Sequence, residues 1–347
     1  MPTNHNRSLT EVAANLNRES EQPLVFERFL PAEEIEDVCR EKEYIFRDRV
    51  YNPVVTIWMF LGQTLSADHS CSDTLHRFNA WRVMHSKPTV SSNTTQYCKA
   101  RKRIPESVFA ELAKRSASQC QKTADSNWNW KGHNVKVVDG TTLTMADTKA
   151  NQKEYPQQKG QKKGCGFPIV RCVMMFCLAT GALLDLATAP YRGKETGENS
   201  LLRKIIDLLL PGDILLADRY YATFGNIYHA YKNGYHVVMR SHHKRKIDFR
   251  RGLKQGREDQ IISCQKPARR PVWMSKKEYR DLDESILVRH VRFRVARKGY
   301  RVRTITLATT LLDASEYSIE DLAELYIQRW QVELDIRSQK TRMRMDH

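Results

Sequence analysis

The sequence predicts an α/β protein in which a helical region precedes a partly parallel sheet. Residues 24–122 show helical signals, short apolar runs alternate with helices over residues 135–239, and a basic segment with strand-like alternation precedes one last helix. These changes of pattern divide the chain into a polar arm 1–22, a helical domain 23–125, the first part of an α/β domain 131–239, a β-rich basic insertion 240–303, and the second part of the α/β domain 304–347.

Local start signals place helices in the N-terminal region. They are a buried run 54–65 after Pro53, an amphipathic run to Met84 headed by Ser70 and Asp73, and the run 106–118 opened by Pro105. We interpret residues 23–125 as a compact, all-helical, DNA-binding domain, although helices alone do not establish that function.

Apolar, β-branched runs broken by glycine predict the strands of the α/β domain. They lie at 135–139, 169–179, 183–190, 214–218 and 235–239. Helices are expected at 197–210 and 221–232, between the later strands. This alternation indicates a sheet that is parallel in part.

Residues 286–306 predict a β-hairpin with one strongly basic face. One face carries Leu287, Arg289, Val291, Phe293 and Val295, and the other carries Ile286, Val288, His290, Arg292 and Arg294. A turn at 297–299 joins them to a strand at 300–306. Because the apolar face must pack inward, we expect the DNA backbone to be contacted by Arg292, Arg294, Arg301 and Arg303.

The charge of the chain indicates a polyanionic partner. The 347 residues carry a formal net charge of +17, with eight Lys or Arg and one acid between Arg240 and Arg257, and seven and no acid between Arg289 and Arg303. Such clusters are typical of proteins that bind phosphate backbones. A contribution to solubility alone is the alternative interpretation.

Composition excludes several other classes of protein. The longest apolar stretch, 54–61, is far shorter than the ~20 residues that cross a bilayer, and the N-terminus lacks the apolar region of a secretory signal. We therefore expect a cytoplasmic protein without membrane contacts. The eight cysteines contain no C-x-x-C pair, which favours reduced packing residues.

Two aspartates stand at the ends of predicted strands. Asp139 closes the run 135–139, and Asp218 closes the run 214–218. Ligands of open α/β sheets gather at the carboxyl ends of strands, so these carboxylates can converge on one point. Either aspartate alone is more often a turn former, and a site therefore needs a third acid.

The last predicted helix, from Ser318 to Lys340, carries that third acid. At about 100° per residue, one narrow stripe of it contains Tyr326, Arg329, Glu333 and Lys340. Apolar flanks place the stripe on the inward face: Ala323, Ile327, Trp330 and Leu334 on one side, and Leu325, Val332 and Ile336 on the other. A buried carboxylate needs a partner, so the stripe is expected to meet metal, phosphate or other charged groups.

Together these residues predict metal-dependent phosphodiester chemistry. Asp139, Asp218 and Glu333 would form an oxygen cage suited to Mg²⁺ or Mn²⁺. The hydroxyl and cationic groups of Tyr326, Arg329 and Lys340 suit phosphate oxygens and so would bind DNA.

The spacing Tyr326-(2)-Arg329-(3)-Glu333-(6)-Lys340 resembles the YREK signature of the insertion-sequence-four family of bacterial DDE transposases. Four further stretches resemble that family, in the same order: SNTTQYCKARKRIP (92–105), DGTTLTMADT (139–148), GFPIVR (166–171) and GDILLADRYYATF (212–224). The resemblance covers about residues 50–347. It implies an RNase H-like catalytic domain in which Asp139, Asp218 and Glu333 are the catalytic triad and a β-rich insertion precedes the glutamate.

The resemblance also implies cofactors and partners. Two divalent ions would be held by the triad, bridged by Asp139. The DNA substrates would be the terminal inverted repeats of an element and a target duplex, joined by cut-and-paste transposition, and pairing two ends implies a homodimer. Family members continue past the lysine of the signature with a C-terminal region, so the resemblance predicts a truncated copy.

Two other functions fit the same residues. A metal-dependent nuclease of the same fold would cut DNA without joining it. An inactive, truncated transposase would act only as a DNA-binding protein.

Overall fold

The computed structural model describes residues 26, 29–158, 160, 162, 164–242, 247–295 and 303–342. The side chains of residues 303, 331–333, 335 and 338–342 lie outside that description. The chain divides into two compact units, one formed mainly by residues up to Gln119 and the other by Cys120–Ser338.

The first unit is helical over its described residues. Its helices are α1 (Ala32–Glu41), α2 (Pro53–Leu65), α3 (Cys71–Met84), α4 (Thr95–Arg103) and α5 (Glu106–Thr123), the last of which runs into the second unit. The Asn52 side chain caps α2 by accepting from the Val55 amide, and the Ser70 hydroxyl caps α3 by accepting from the Asp73 amide at 3.0 Å. The start signals of α2 and α3 are therefore confirmed.

The core of this unit lies between α1, α2 and α5. Ile35 and Val38 of α1 pack with Ile57 of α2 and with Val108 and Leu112 of α5, and all five are buried. Apolar residues at helical spacing in three separate helices thus share one interior.

The second unit is built on a mixed sheet. Its strands are β1 (Val135–Thr144), β2 (Ile169–Cys177), β3 (Leu183–Pro190), β4 (Ile214–Ala217), β5 (His236–Arg240), β6 (Leu253–Gly256), β7 (Asp259–Gln265), β8 (Ser285–Val295) and β9 (Arg303–Thr309). In the described part of the chain they form one sheet in the order β3-β2-β1-β4-β5-β9-β8-β7-β6. Only the pairs β1/β4 and β4/β5 are parallel there, so the partly parallel α/β sheet is confirmed.

Helices cover this sheet and connect its strands. They are α6 (Lys149–Glu154), α7 (Glu198–Ile205), α8 (Phe224–Asn233), α9 (Lys276–Arg280) and α10 (Ile319–Arg342), with 3₁₀ turns at Ser126–Trp128 and Ile206–Leu208. The sequence pattern did not predict α9, whose start is a capping box between Ser275 and Glu278. No helix in the described part of the chain is long and apolar enough to cross a membrane.

Strand β1 is longer than its sequence pattern predicts. It pairs with the parallel neighbour β4 as far as Val137, but its antiparallel pairing with β2 continues to Thr144. The expectation that the strand ends at Asp139 is therefore wrong, because a second neighbour extends the ladder beyond the first. Asp139 instead stands just past the parallel pairing.

The β8–β9 hairpin has apolar side chains on both faces. Pairing from Arg289↔Thr309 to Val295↔Arg303 confirms the hairpin, and its turn lies outside the described residues. On the face expected to be basic, Ile286, Val288 and His290 are buried, whereas Leu287 on the other face is 54% exposed. The prediction of one exposed basic face is wrong for this half of β8, because the side chains of both faces are buried from Val288 to Val291.

All eight cysteines are free thiols in the structure. Cys39, Cys172 and Cys177 are buried, but Cys120 and Cys165 are exposed. The interpretation of every cysteine as a packing residue is therefore wrong for those two.

Candidate active site

Asp139 lies on β1, and Asp218 directly follows β4, the parallel neighbour of β1. The register pairs Val137 of β1 with Leu216 of β4, and counting two residues further along each strand places Asp139 beside Asp218. The same count puts both side chains on one face of the sheet. The two aspartates expected to converge are thus brought to the same level of the sheet.

Local backbone contacts hold each carboxylate. The Gly140 amide donates to Asp139 Oδ1 at 3.0 Å. The Tyr220 amide donates to Asp218 Oδ1 at 2.7 Å in the loop after β4. Both aspartates are half-buried, so each keeps a surface for a ligand.

A further acid, Glu198, reaches this point from the first turn of α7. A Cβ built on Gly140 would lie 2.5 Å from Glu198 Cδ and 2.8 Å from each of its carboxylate oxygens. The side chain thus occupies the space that glycine leaves beside Asp139. Burial and the neighbouring Asp218 raise the pKa of Glu198, while Arg171 and a hydrogen bond from Tyr221 oppose that rise.

Tyr221 is a fully buried phenol surrounded by these acids. Its pKa is raised first by burial and then by the charges of Glu198, Asp139 and Asp218. The pKa of one buried hydroxyl is therefore affected by three carboxylates, which come from β1, from α7 and from the residue after β4.

Sequence reasoning missed Glu198 and Tyr221. The position of Glu198 at the start of the predicted helix 197–210 is a signal, but an acid in a first turn also stabilises the helix dipole, so the pattern does not distinguish the two functions. The sequence pattern places Tyr221 at the start of the predicted helix 221–232 and gives no sign of a contact with the acids.

The last helix brings Tyr326 and Arg329 to the same site. Both side chains are 6% exposed, and the Arg329 guanidinium carbon lies 5.6 Å from the Tyr326 ring centroid. Burial raises the pKa of Tyr326; Arg329 and Arg240 oppose the shift, and Asp218 adds to it. Tyr326 therefore lies within electrostatic reach of Asp218.

Glu333 and Lys340 belong to α10, but their side chains lie outside the described residues. The Ser318 hydroxyl accepts from the Asp321 amide at 3.1 Å, so the expected start of the helix is confirmed.

One apolar flank of the last helix is exposed rather than buried. Ile327, Trp330 and Leu334 are 40–56% exposed, whereas Leu325 and Ile336 on the other flank are buried. The prediction that both flanks pack inward is therefore wrong. An apolar pattern shows which residues could be buried, but burial also needs a partner element on that side.

The arginines of the hairpin differ in their surroundings. Arg289 is fully buried and forms a bidentate ion pair with Asp259, so it belongs to the interior and not to the basic surface. Arg292 is half-buried and contacts the Glu258 carboxylate at 3.4 Å and the Phe249 ring at 4.2 Å. Arg294 is exposed, and the side chains of Arg301 and Arg303 lie outside the described residues.

The described side chains do not form a complete metal cage. Among them, no group of three His, Cys, Asp or Glu residues could hold a metal ion, so Asp139, Asp218 and Glu198 do not suffice by themselves. The expected third ligand, Glu333, has its side chain outside the description. The available donors are carboxylates near the carboxyl end of the parallel pair β1 and β4. Carboxylate oxygens are the hard ligands that Mg²⁺ and Mn²⁺ prefer.

The site thus consists of acids on a mixed sheet, with an arginine and a tyrosine from the last helix, α10. Comparison with known protein families identifies the second unit. The family described as Transposase DDE domain matches residues 130–347, and the chain belongs to it. A similar protein is the transposase InsG for insertion sequence element IS4 of Escherichia coli (strain K12), which is 22% identical over 293 residues. That match covers 83% of this chain and 61% of the relative.

Proposed function

We propose that the chain is the DNA transposase of an insertion sequence, which cleaves the ends of the element and joins them to target DNA. The observation that supports the proposal is the parallel register of β1 and β4, whose last pair, Val137 and Leu216, comes two residues before Asp139 and Asp218 in a chain of the transposase DDE domain family. The related InsG is itself a transposase of an insertion sequence element.

We further propose that β1–β5, α7 and α8 form an RNase H-like core. Its support is the mixed order β3-β2-β1-β4-β5, with acids at the carboxyl ends of the parallel pairing. The same proposal includes the division into a helical domain 23–125 and a catalytic domain 131–347. It also includes the interpretation of residues 240–303 as a β-rich insertion into that catalytic domain.

Members of the family generally use divalent metal ions, and we propose Mg²⁺ or Mn²⁺, as two ions, for this chain. Asp139, Asp218 and Glu333 would hold them. The chemistry that such ions would supply there is activation of the attacking hydroxyl or water and stabilisation of the leaving oxygen of the phosphodiester.

The residues of α10 would position the DNA. Arg329 is buried against Tyr326, which lies near Asp218, so a phosphate beside the carboxylates would find a guanidinium and a hydroxyl in reach. Lys340 is proposed as a third phosphate contact, and Arg294, Arg301 and Arg303 as contacts to the DNA backbone further away. Arg292 is not among the proposed DNA contacts, because its guanidinium already contacts Glu258 and Phe249.

The test uses the purified chain and a duplex that contains the genomic DNA flanking its gene. Asp218→Asn should abolish cleavage in Mg²⁺ and leave the affinity for the duplex unchanged, because the amide cannot replace a carboxylate ligand but leaves the fold intact. Asp207→Asn, on an exposed 3₁₀ turn of the same unit, is the control and should cut normally.

The products distinguish the alternatives. Joining of a cut end to a second duplex supports a transposase. We propose a homodimer for it because two ends must be held together. Cutting without joining would indicate a nuclease. If the unmodified chain binds the duplex but does not cut it in either Mg²⁺ or Mn²⁺, the protein is an inactive transposase that only binds DNA.

A further inference from the structure

A cavity of about 370 Å³ lies within the helical unit, between the segment that connects α1 to α2 and the end of α4. Its lining includes residues 44–47, Arg49, Tyr51 and Thr56 on one side, and Ala100, Arg103 and Ile104 on the other. This volume falls in the range of about 300–1,000 Å³ that small-molecule sites occupy. The cavity is therefore large enough for a bound ligand.

Three arginines form the rim of the cavity. Arg47, Arg49 and Arg103 are exposed, and none of them forms an ion pair with another described residue. Cations gathered at one opening repel each other until an anion neutralises them. The planar guanidinium groups suit the oxygens of a phosphate.

Aromatic rings form the wall below this rim. Tyr44 and Phe46 are half-buried, with ring centroids 6.1 Å apart, and Tyr51 is half-buried beside them. Phe78 and Tyr97 support the Tyr51 ring from within the core, at centroid distances of 6.1 and 6.4 Å. Such rings offer flat apolar faces on which a nucleic-acid base stacks.

A buried hydroxyl completes the lining. Thr56 is fully buried, and its hydroxyl has no hydrogen-bond partner among the described residues. An unpaired hydroxyl in a protein interior is unfavourable, and such groups usually have a partner. A polar atom of a ligand in the cavity would supply it.

We propose that this cavity binds one nucleotide, with its phosphate at Arg47, Arg49 and Arg103 and its base against the aromatic wall, within reach of the Thr56 hydroxyl. A nucleotide combines an anion for the rim with a flat ring for the wall and polar ring atoms for the hydroxyl. The nucleotide comes either from a DNA strand whose base is unpaired or from a free mononucleotide. The first source rests on the proposed function, and the second does not.

The test compares two variants that each remove two positive charges. Arg47→Gln/Arg103→Gln changes the rim, whereas the control Lys99→Gln/Lys102→Gln changes two exposed lysines of α4 that do not line the cavity. The probes are a fluorescent single-stranded oligonucleotide of mixed sequence and the mononucleotide dAMP. We expect the rim variant to bind the oligonucleotide about tenfold more weakly, with a much smaller loss in the control. Equal losses in both variants would overturn the proposal.

Thr56→Val separates a ligand-binding hydroxyl from a structural one. Because this hydroxyl has no described partner, the valine should leave the melting temperature unchanged or raise it, yet weaken binding of the probe that the cavity accepts. A lower melting temperature with unchanged binding would contradict the proposal.

The two probes identify the source of the nucleotide. Binding of the oligonucleotide alone indicates a DNA strand, and competition by dAMP indicates a free nucleotide. If the unmodified chain binds neither probe, the pocket proposal fails, while cleavage by the carboxylate site tests the transposase proposal separately.

Discussion

At the scale of single residues, Arg289 shows how a cation can belong to a protein interior. Its Nε donates to Asp259 Oδ1 at 2.8 Å, its Nη2 donates to Asp259 Oδ2 at 2.5 Å, and its Nη1 donates to the Tyr317 carbonyl oxygen at 2.8 Å. Every side of the guanidinium thus meets an acceptor. The residue links β7, β8 and the segment that precedes α10.

We expect Asp259→Asn to destabilise the protein by about 3–5 kcal/mol, because it leaves a buried guanidinium without its counter-charge. Urea denaturation followed by circular dichroism measures the change in the free energy of unfolding. Asp283→Asn, at an exposed position of the same unit, is the control and should leave that free energy nearly unchanged. A loss below about 1 kcal/mol for Asp259→Asn would show that the amide still satisfies the arginine.

At Gly140, the absence of a side chain leaves room for the carboxyl group of Glu198. The Cβ of Gly140→Ala would meet the Glu198 carboxyl group at 2.5 Å, and a flexible side chain relieves such a contact by moving away. We therefore expect nearly normal stability but strongly reduced cleavage, measured by thermal unfolding and by cutting of duplex DNA. The control is Gly256→Ala, whose Cβ would lie at an ordinary 3.6 Å from Asp259. Full cleavage by Gly140→Ala would show that the position of Glu198 does not matter to the reaction.

At the scale of elements, the β8–β9 hairpin separates arginines that look equivalent in the sequence. Strand alternation places Arg292 and Arg294 on one face, but Glu258 and Phe249 of a neighbouring segment contact Arg292. Alternation identifies the face of a sheet, and it does not tell which other segment covers that face.

We expect Arg294→Gln to reduce the slope of log K for duplex DNA against log salt by about 0.9, since one phosphate contact is lost. Arg292→Gln is the matched control in the same strand and should leave the slope unchanged. Fluorescence anisotropy over a series of salt concentrations measures both slopes. An unchanged slope for Arg294→Gln would indicate that this end of the hairpin faces only solvent.

The elements also show what the sequence could predict. Runs such as 214–218 and 235–239 indicate strands because they are short, apolar and buried on both faces, and they do form β4 and β5. The end of β1 and the exposed flank of Ile327, Trp330 and Leu334 depend on which neighbours are present, and a local pattern does not contain that information.

The same limit applies to the candidate site. Asp139 and Asp218 were found because each follows an apolar run, so their position at the edge of parallel strands follows from local order. Glu198 joins them only because α7 packs against β2 and β3, which brings its carboxyl group to Gly140, a residue far away in the chain. Its position therefore emerged from the structure alone.

At the scale of the whole molecule, the two compact units have separate hydrophobic cores. Cys39 is buried in the core of the helical unit, and Cys172 and Cys177 are buried in the sheet of the second unit. Burial, with a contribution from Glu36, raises the pKa of the Cys39 thiol to about 11. Near pH 8 this thiol is therefore protonated and unreactive while the helical unit is folded.

We expect each unit to unfold in its own transition, because each has a core of its own. Pulsed alkylation at pH 8 along a urea series measures this: Cys39 should become labelled at one midpoint, and Cys172 and Cys177 together at another. The exposed Cys120 and Cys165 should be labelled at every urea concentration and serve as the internal control. A single midpoint for all buried thiols would show one cooperative unit.

The close approach of Glu198 to Gly140 also has a genetic consequence. Every missense change of a glycine codon introduces a Cβ, so no coding substitution at residue 140 leaves the space that the carboxyl group occupies. A random-mutagenesis screen for full-length, well-expressed protein that no longer cuts DNA should therefore recover changes at this codon of many chemical types, as it should at the codons for Asp139 and Asp218.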